Sequence, residues 1–293
     1  MTISSIKKDR KVSFVVDSTI GDNIDFDLFP FDISIIPLNI FLKGKEILDK
    51  KGNDFFLYYS NQGHQITTSQ PNPQLFLKFF KEKLKSEPEH LFCLTLSKKL
   101  SGTFNSACKA KELLGNPNNI TIIDTENIGP GMFFTLNRIY KYITDTELSY
   151  EEISNKVLQE QKQGILYFSV SDLKQLKINK RISKFKFFIG SLLKIKPILK
   201  FNQGIITIEK NVRSQKNCFF YLINYILEFQ KLVSRPIEVK LIYVIDDLIV
   251  QKLKLEIQKL KNKDIKVSIY GSISNIIAVH LGAEGFGIYL NII

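Results

Sequence analysis

Four short groups of residues carry the chemistry this chain can do: Ser101-Gly102, Thr68, Asp17-Ser18-Thr19 and His280. The first follows an apolar run, Leu91–Leu96, and precedes a helical pattern with Phe104, Ala107, Cys108 and Leu114 on one side. A strand, a tight turn and a helix start are expected there. A helix N-terminus leaves backbone N–H groups unpaired and carries partial positive charge, so it attracts anions. Ser101 adds a hydroxyl and Gly102 admits a close backbone approach, although a serine here also serves as a plain helix cap. Thr68 lies in Thr67-Thr68-Ser69-Gln70-Pro71-Asn72-Pro73, which reads as a stiff loop entering a helix. Its hydroxyl can cap that helix or hold a ligand.

Asp17-Ser18-Thr19 stands at the end of the β-branched run Val12–Val16. In open parallel sheets the carboxyl ends of strands are where ligands sit, and an aspartate that turns back on its own backbone is the alternative. His280, one of three histidines, precedes Gly282, Gly285 and Gly287; so many glycines suggest close backbone approach to something, and a structural histidine is the other reading.

The elements that position these groups alternate. Strands are expected at Val12–Val16, Ile33–Leu42, Leu91–Leu96 and Ile120–Ile123, with a short helix at Asn53–Tyr59 and others after Pro73, Ser101 and Gly131. Such alternation predicts crossover units and a mainly parallel sheet. After the polar stretch Thr144–Ser149, Ser149 and Glu152 form a capping box. A strand at Ile165–Val170, a helix over Arg181–Leu193 and a hairpin turning at Asn202-Gln203-Gly204 follow, then helices at Ser214–Val233 and Leu248–Leu260 between further strands. The expected architecture is α/β in two domains. Residues 1–147 carry a mainly parallel sheet with flanking helices, and residues 148–293 a mixed or antiparallel sheet.

Composition narrows the function. With 293 residues and 44% hydrophobic content the chain can fill two cores. The basic start without an apolar segment and the lack of a long uncharged stretch predict a cytoplasmic protein with at most transient membrane contact. A net charge of +12 invites a nucleic-acid reading, but the lysines are dispersed and arginine is scarce, so no nucleic-acid partner is expected. A basic surface facing an acidic protein suits the charge better. Cys93, Cys108 and Cys218 are far apart and read as buried thiols, with neither a disulfide nor a metal site. Two enzyme readings compete. A serine hydrolase would use Ser101, His280 and Asp17, yet the Gly-x-Ser-x-Gly elbow is missing. A dinucleotide site would need Gly-x-Gly-x-x-Gly after Val16, and none is present.

Taken in order, Val15–Thr19, Ile36-Pro37-Leu38, Thr67–Pro71, Leu100–Ala107, Ile189–Leu199, Val212-Arg213-Ser214 and His280-Leu281-Gly282 resemble the DegV family of bacterial fatty-acid-binding proteins. The resemblance implies one long-chain fatty acid, such as palmitate, held as ligand without any cofactor. The first domain would carry the carboxylate site and the second would cover the acyl chain. By the same resemblance Thr68, Ser101 and Gly102 bind the carboxylate with His280 close by, and Asp17 and Ser18 border the head group. Family members present the carboxylate to a separate ATP-dependent fatty acid kinase, which makes an acyl phosphate; the binding protein is not itself the enzyme. Three departures stand out. Ile178-Asn179-Lys180-Arg181 keeps one arginine of the usual Arg-Gly-Gly-Arg, which leaves kinase docking to Arg181 with Lys180 and Arg213. Ala283-Glu284 replaces part of a glycine-rich turn, and Glu126–Gly129 lacks a serine.

Overall fold

The computed structural model describes residues 10–21, 24–47, 66–171, 173, 176–177, 179–182, 195–282 and 284–293. Strand β1 (Val12–Asp17) is buried along its whole length, as expected of a central strand covered on both faces. It pairs in parallel with β2 (Asp32–Ile36) and β6 (His90–Thr95), and β6 pairs in parallel with β7 (Ile120–Asp124). The resulting order is β2-β1-β6-β7. Alternation along β1 and β6 divides the core. Val15, Leu91 and Cys93 pack under helices α1 (Pro73–Leu84) and α2 (Thr103–Leu113) with Phe76, Phe80, Ala107 and Ala110. Phe14, Val16, Phe92 and Leu94 face the other way, towards helices α3 (Pro130–Asp145) and α4 (Tyr150–Glu160) and the second half of the chain.

The second sheet has six strands in the order β10-β9-β8-β13-β11-β12. Strand β8 (Ile165–Ser169) pairs antiparallel with β9 (Lys196–Asn202) and β13 (Phe286–Ile292). Strand β9 forms a hairpin with β10 (Ile205–Val212), interrupted by a register shift between Ile208 and Lys210. Strand β11 (Ile237–Tyr243) runs antiparallel to β13 and parallel to β12 (Ile265–Ser272). One face, with Tyr167, Ile198, Val239 and Leu290, is covered by α5 (Gln215–Val233) and α6 (Leu248–Gln258). The opposite face, with Leu166, Phe168, Leu199 and Ile242, joins the core of the first sheet. No described helix is long and apolar enough to cross a membrane.

The mixed α/β architecture with one parallel and one mixed sheet is as the sequence predicts. Several elements differ. The extended run Ile33–Leu42 is two strands, because Pro37, which lacks an N–H, separates β2 from β3 (Asn39–Leu42). Strand β3 belongs to a third, antiparallel sheet with β4 (Lys45–Ile47) and β5 (Ile66–Ser69). Thr68 therefore sits in a strand, opposite Ile40, and not in a loop. The last helix, α7 (Asn275–Leu281), places His280 in its final turn. Helix α4, which follows the expected boundary at 147/148, packs Ile153 and Val157 into the same cluster as Ile139 and Ile143 of α3. The change of sheet falls between Asp124 and Ile165. The helices expected at Asn53–Tyr59 and over 183–193 lie outside the described residues; Ile182 forms a single bridge with Ile206.

Candidate functional site

The carboxyl ends of β1, β6 and β7 open onto a cavity of about 290 Å³. The first sheet contributes loops: Thr19 after β1, Leu96, Leu100 and Ser101 after β6, and Ile128–Pro130 after β7. Inner-face residues of the second sheet close it, among them Leu166 and Phe168 of β8 and Ile242 of β11, together with Ile276 and Ile277 of α7. These wall positions obey the period of two along β8, whose intervening Tyr167 points to the other core. The volume lies near the lower end of small-molecule sites, about 300–1,000 Å³, so it accommodates one slender ligand.

Polar groups meet at one side. Thr68 Oγ1 and His280 Nε2 are 2.9 Å apart, joining β5 to α7. Burial, with the nearby Arg181 charge, lowers the His280 pKa to about 4, so the imidazole is neutral at neutral pH. Its Nδ1 has no hydrogen-bond partner. Arg181 also lines the cavity. Its Nε donates to Leu100 O at 3.3 Å and its Nη1 to Asn179 O at 2.5 Å, which fixes the guanidinium beside the turn that carries Ser101. Burial lowers the Arg181 pKa as well, yet a guanidinium keeps its proton in a protein. Ser101 lies one residue before the cap position of α2, held by Gly102, where no side chain caps. Its Oγ is 2.9 Å from Thr103 Oγ1 and accepts from Thr103 N at 3.4 Å. Ser101 is thus half-buried on the wall and only loosely engaged.

The other expected site residues stand elsewhere. Asp17 is fully buried and its carboxylate accepts from Thr19 N (2.9 Å), Thr19 Oγ1 (2.5 Å) and Leu96 N (2.5 Å). Burial outweighs these bonds and raises its pKa to about 6. Ser18 Oγ accepts from Leu38 N at 3.1 Å. Neither residue lines the cavity; both tie β1 to its neighbours, and Thr19 is the member of that motif on the wall. Gly102 is absent from the lining too. Arg213 is exposed in a separate groove between β10 and α5, with Lys210, Tyr221 and Tyr225. The hydrolase arrangement is not assembled, because His280 bonds Thr68 and the Asp17 oxygens are taken by Thr19 and Leu96. Among the described residues no three His, Cys, Asp or Glu gather as a metal site would require. The apolar wall from β8, β11 and α7 was not singled out from the sequence. The alternation of Leu166 and Phe168 was its only visible trace.

Residues 11–291 match the DegV family, described as uncharacterised proteins. The chain belongs to the DegV family. A DegV domain-containing protein of Clostridium acetobutylicum is 27% identical over 283 residues, covering 96% of this chain and 98% of its relative. One from Staphylococcus aureus is 30% identical over 200 residues, 68% of this chain and 70% of the other. Among solved structures, a fatty-acid-binding DegV family protein from Thermus thermophilus superposes with a TM-score of 0.83 at 25% identity, covering 97% of this chain and all of that one. Among the DegV motifs in this chain, Thr67–Pro71, Leu100–Ala107 and His280–Gly282 all contribute to one cavity.

Proposed function

We propose that this DegV protein holds one long-chain fatty acid, with the acyl chain between the two sheets and the carboxylate beside Thr68, Ser101, His280 and Arg181. The observation that carries the reading is an apolar-walled cavity whose polar groups gather on one side around a single cation. Fatty-acid binding by the similar Thermus thermophilus protein supports it. Each buried CH₂ contributes about 0.8 kcal/mol, so the tail supplies affinity while the head group sets orientation. In this reading the His280 proton is on Nε2 and is donated to Thr68 Oγ1, which leaves the threonine proton free for the carboxylate. The other tautomer would consume that proton and turn no donor towards the anion. Neutral hydroxyls and one arginine hold the carboxylate ionised, so an oxygen remains nucleophilic.

The protein is then a presenting subunit: a separate ATP-dependent fatty acid kinase transfers the phosphoryl group to the bound carboxylate, giving an acyl phosphate. Asp17 and Ser18 act from behind the site, through the β1 turn, while Arg181, Lys180 and Arg213 meet the kinase. Organic extraction and mass spectrometry of protein purified natively from a bacterial host should find a fatty acid in stoichiometric amount. Absence of co-purified lipid together with no uptake of added palmitate would refute the binding role. Loaded protein, a bacterial fatty acid kinase and ATP should yield a hydroxylamine-trappable acyl phosphate; none forming would refute the presenting role alone.

A further inference from the structure

Thr68 and Ser101 belong to elements that share no hydrogen-bonded ladder. Thr68 lies on β5 in the small antiparallel sheet, and Ser101 in the loop after β6 of the parallel sheet. Two hydroxyls that share one head group must keep their geometry to within about 0.5 Å. A strut between the two elements is therefore required, and one side chain has the right position.

Gln70 directly follows β5, and its side chain crosses to α2. Its Nε2 donates to Ser106 Oγ at 3.1 Å, in the first turns of that helix. The same amide seats against Gly102: a Cβ there would stand 2.0 Å from Gln70 Oε1, 2.6 Å from Cδ and 2.7 Å from Nε2. Gly102 has φ −78° and ψ 8°, a conformation open to most residues. Glycine is thus required at this position for space and not for backbone freedom. The room it leaves is filled by the protein's own glutamine, which explains why Gly102 does not reach the cavity although both of its neighbours in the argument, Gln70 and Ser101, line it.

We propose that Gln70 is a positioning residue that sets the separation of the Thr68 and Ser101 hydroxyls, and that residue 102 is glycine so that the Gln70 amide can seat on the turn carrying Ser101. The inference rests on the carboxylate reading of the cavity. Because the amide is the far end of a flexible side chain, Gly102→Ala ejects it without disturbing the helix start. The variant should therefore reproduce Gln70→Ala.

The test compares affinity for palmitate with affinity for the C16 alcohol, which shares the tail and lacks the carboxylate. Gln70→Ala and Gly102→Ala should each reduce the preference for acid over alcohol by about tenfold, the worth of one misplaced hydrogen bond to a charged group. The double variant should match the single ones, since both remove one contact. Ser106→Ala, which only unties the amide, should shift the preference in the same direction by less. Equal losses for acid and alcohol, or losses that multiply in the double variant, would overturn the proposal. A wild-type protein without preference for the acid would bring down the carboxylate reading and this inference together. A wild-type preference that the variants retain in full would remove only the role of Gln70.

Discussion

Ser101 and Thr68 are replaceable without disturbing the core, since both are half-buried on a cavity wall. Ser101→Ala or Thr68→Val should weaken palmitate binding by about 1.5–3 kcal/mol each, the worth of a hydrogen bond to a charged group, as read by fluorescence competition. Unchanged affinity in both would contradict the head-group assignment. His90 offers a pH test away from the site. Its Nε2 is 2.8 Å from Thr121 Oγ1 and its ring stacks on Tyr150 at 4.5 Å. Burial, then the charges of Lys111 and Arg10, lowers its pKa to about 4. An unfolded imidazole titrates near 6.5, so between these values the unfolded chain binds the extra proton. The His90 contribution is complete above pH 6.5 and is lost as pH falls towards 4; His280 has the same sign. Asp17, raised to about 6, has the opposite sign and gains as pH falls through 6. Two imidazoles outweigh one carboxyl, so urea midpoints should fall from pH 6.5 to 4, and His90→Gln should flatten that slope. Which side chains carry hydrogen-bonding chemistry was visible in the sequence at this scale. Which of them face the cavity was not: Asp17 and Thr19 are two residues apart, yet one is sealed inside and the other lines the wall.

The hairpin β9–β10 shows what local pattern encodes well. Two apolar runs around Asn202-Gln203-Gly204 specify it, and Gln203 (φ 48°) and Gly204 (φ 79°) adopt the left-handed conformations that such a turn needs. Its tip is fastened to the loop after β6: Ser97 Oγ donates to Gly204 O at 3.0 Å, and Lys99 Nζ to Gln203 O at 2.7 Å while pairing with Glu126. A Cβ on residue 204 would stand 2.4 Å from Ser97 Oγ. Gly204→Ala should cost more than about 1 kcal/mol in urea unfolding, because the backbone strain and the clash add. It should also speed palmitate release in stopped-flow dissociation, since β10 supplies Ile206 to the cavity wall. A variant with wild-type stability and release rate would contradict this fastening. The run Ile33–Leu42 and the segment around Thr68 show where local pattern fails. Each looks like one continuous element, but their partners lie in different sheets, and pairing partners are not written in periodicity.

At the scale of the molecule, the cavity exists because two sheets meet edge to face. Ligand should therefore stabilise the whole assembly: at a free concentration one hundred times Kd, binding adds about 2.7 kcal/mol. Protein stripped of lipid should melt at a lower temperature than protein reloaded with palmitate, by calorimetry. Equal melting temperatures would mean that the cavity does not bind this ligand. The parallel and mixed sheets were both foreseeable from strand and helix alternation and from the hairpin. Their mutual placement was not, since the inner face of the second sheet reads simply as core until its packing partner is known.

Sequence alone determined the order of strands and helices, the hairpin, the capping box at Ser149 and the set of polar motifs that mark a DegV protein. Those features depend on neighbours a few residues apart, and short-range periodicity and turn chemistry record them. Only the tertiary structure decided that Thr68 bonds His280 across 212 positions, that Arg181 stands over the same cavity, and that Gln70 fills the space above Gly102. Contacts of that range are set by how whole sheets and helices pack, and no local pattern carries the separation between them.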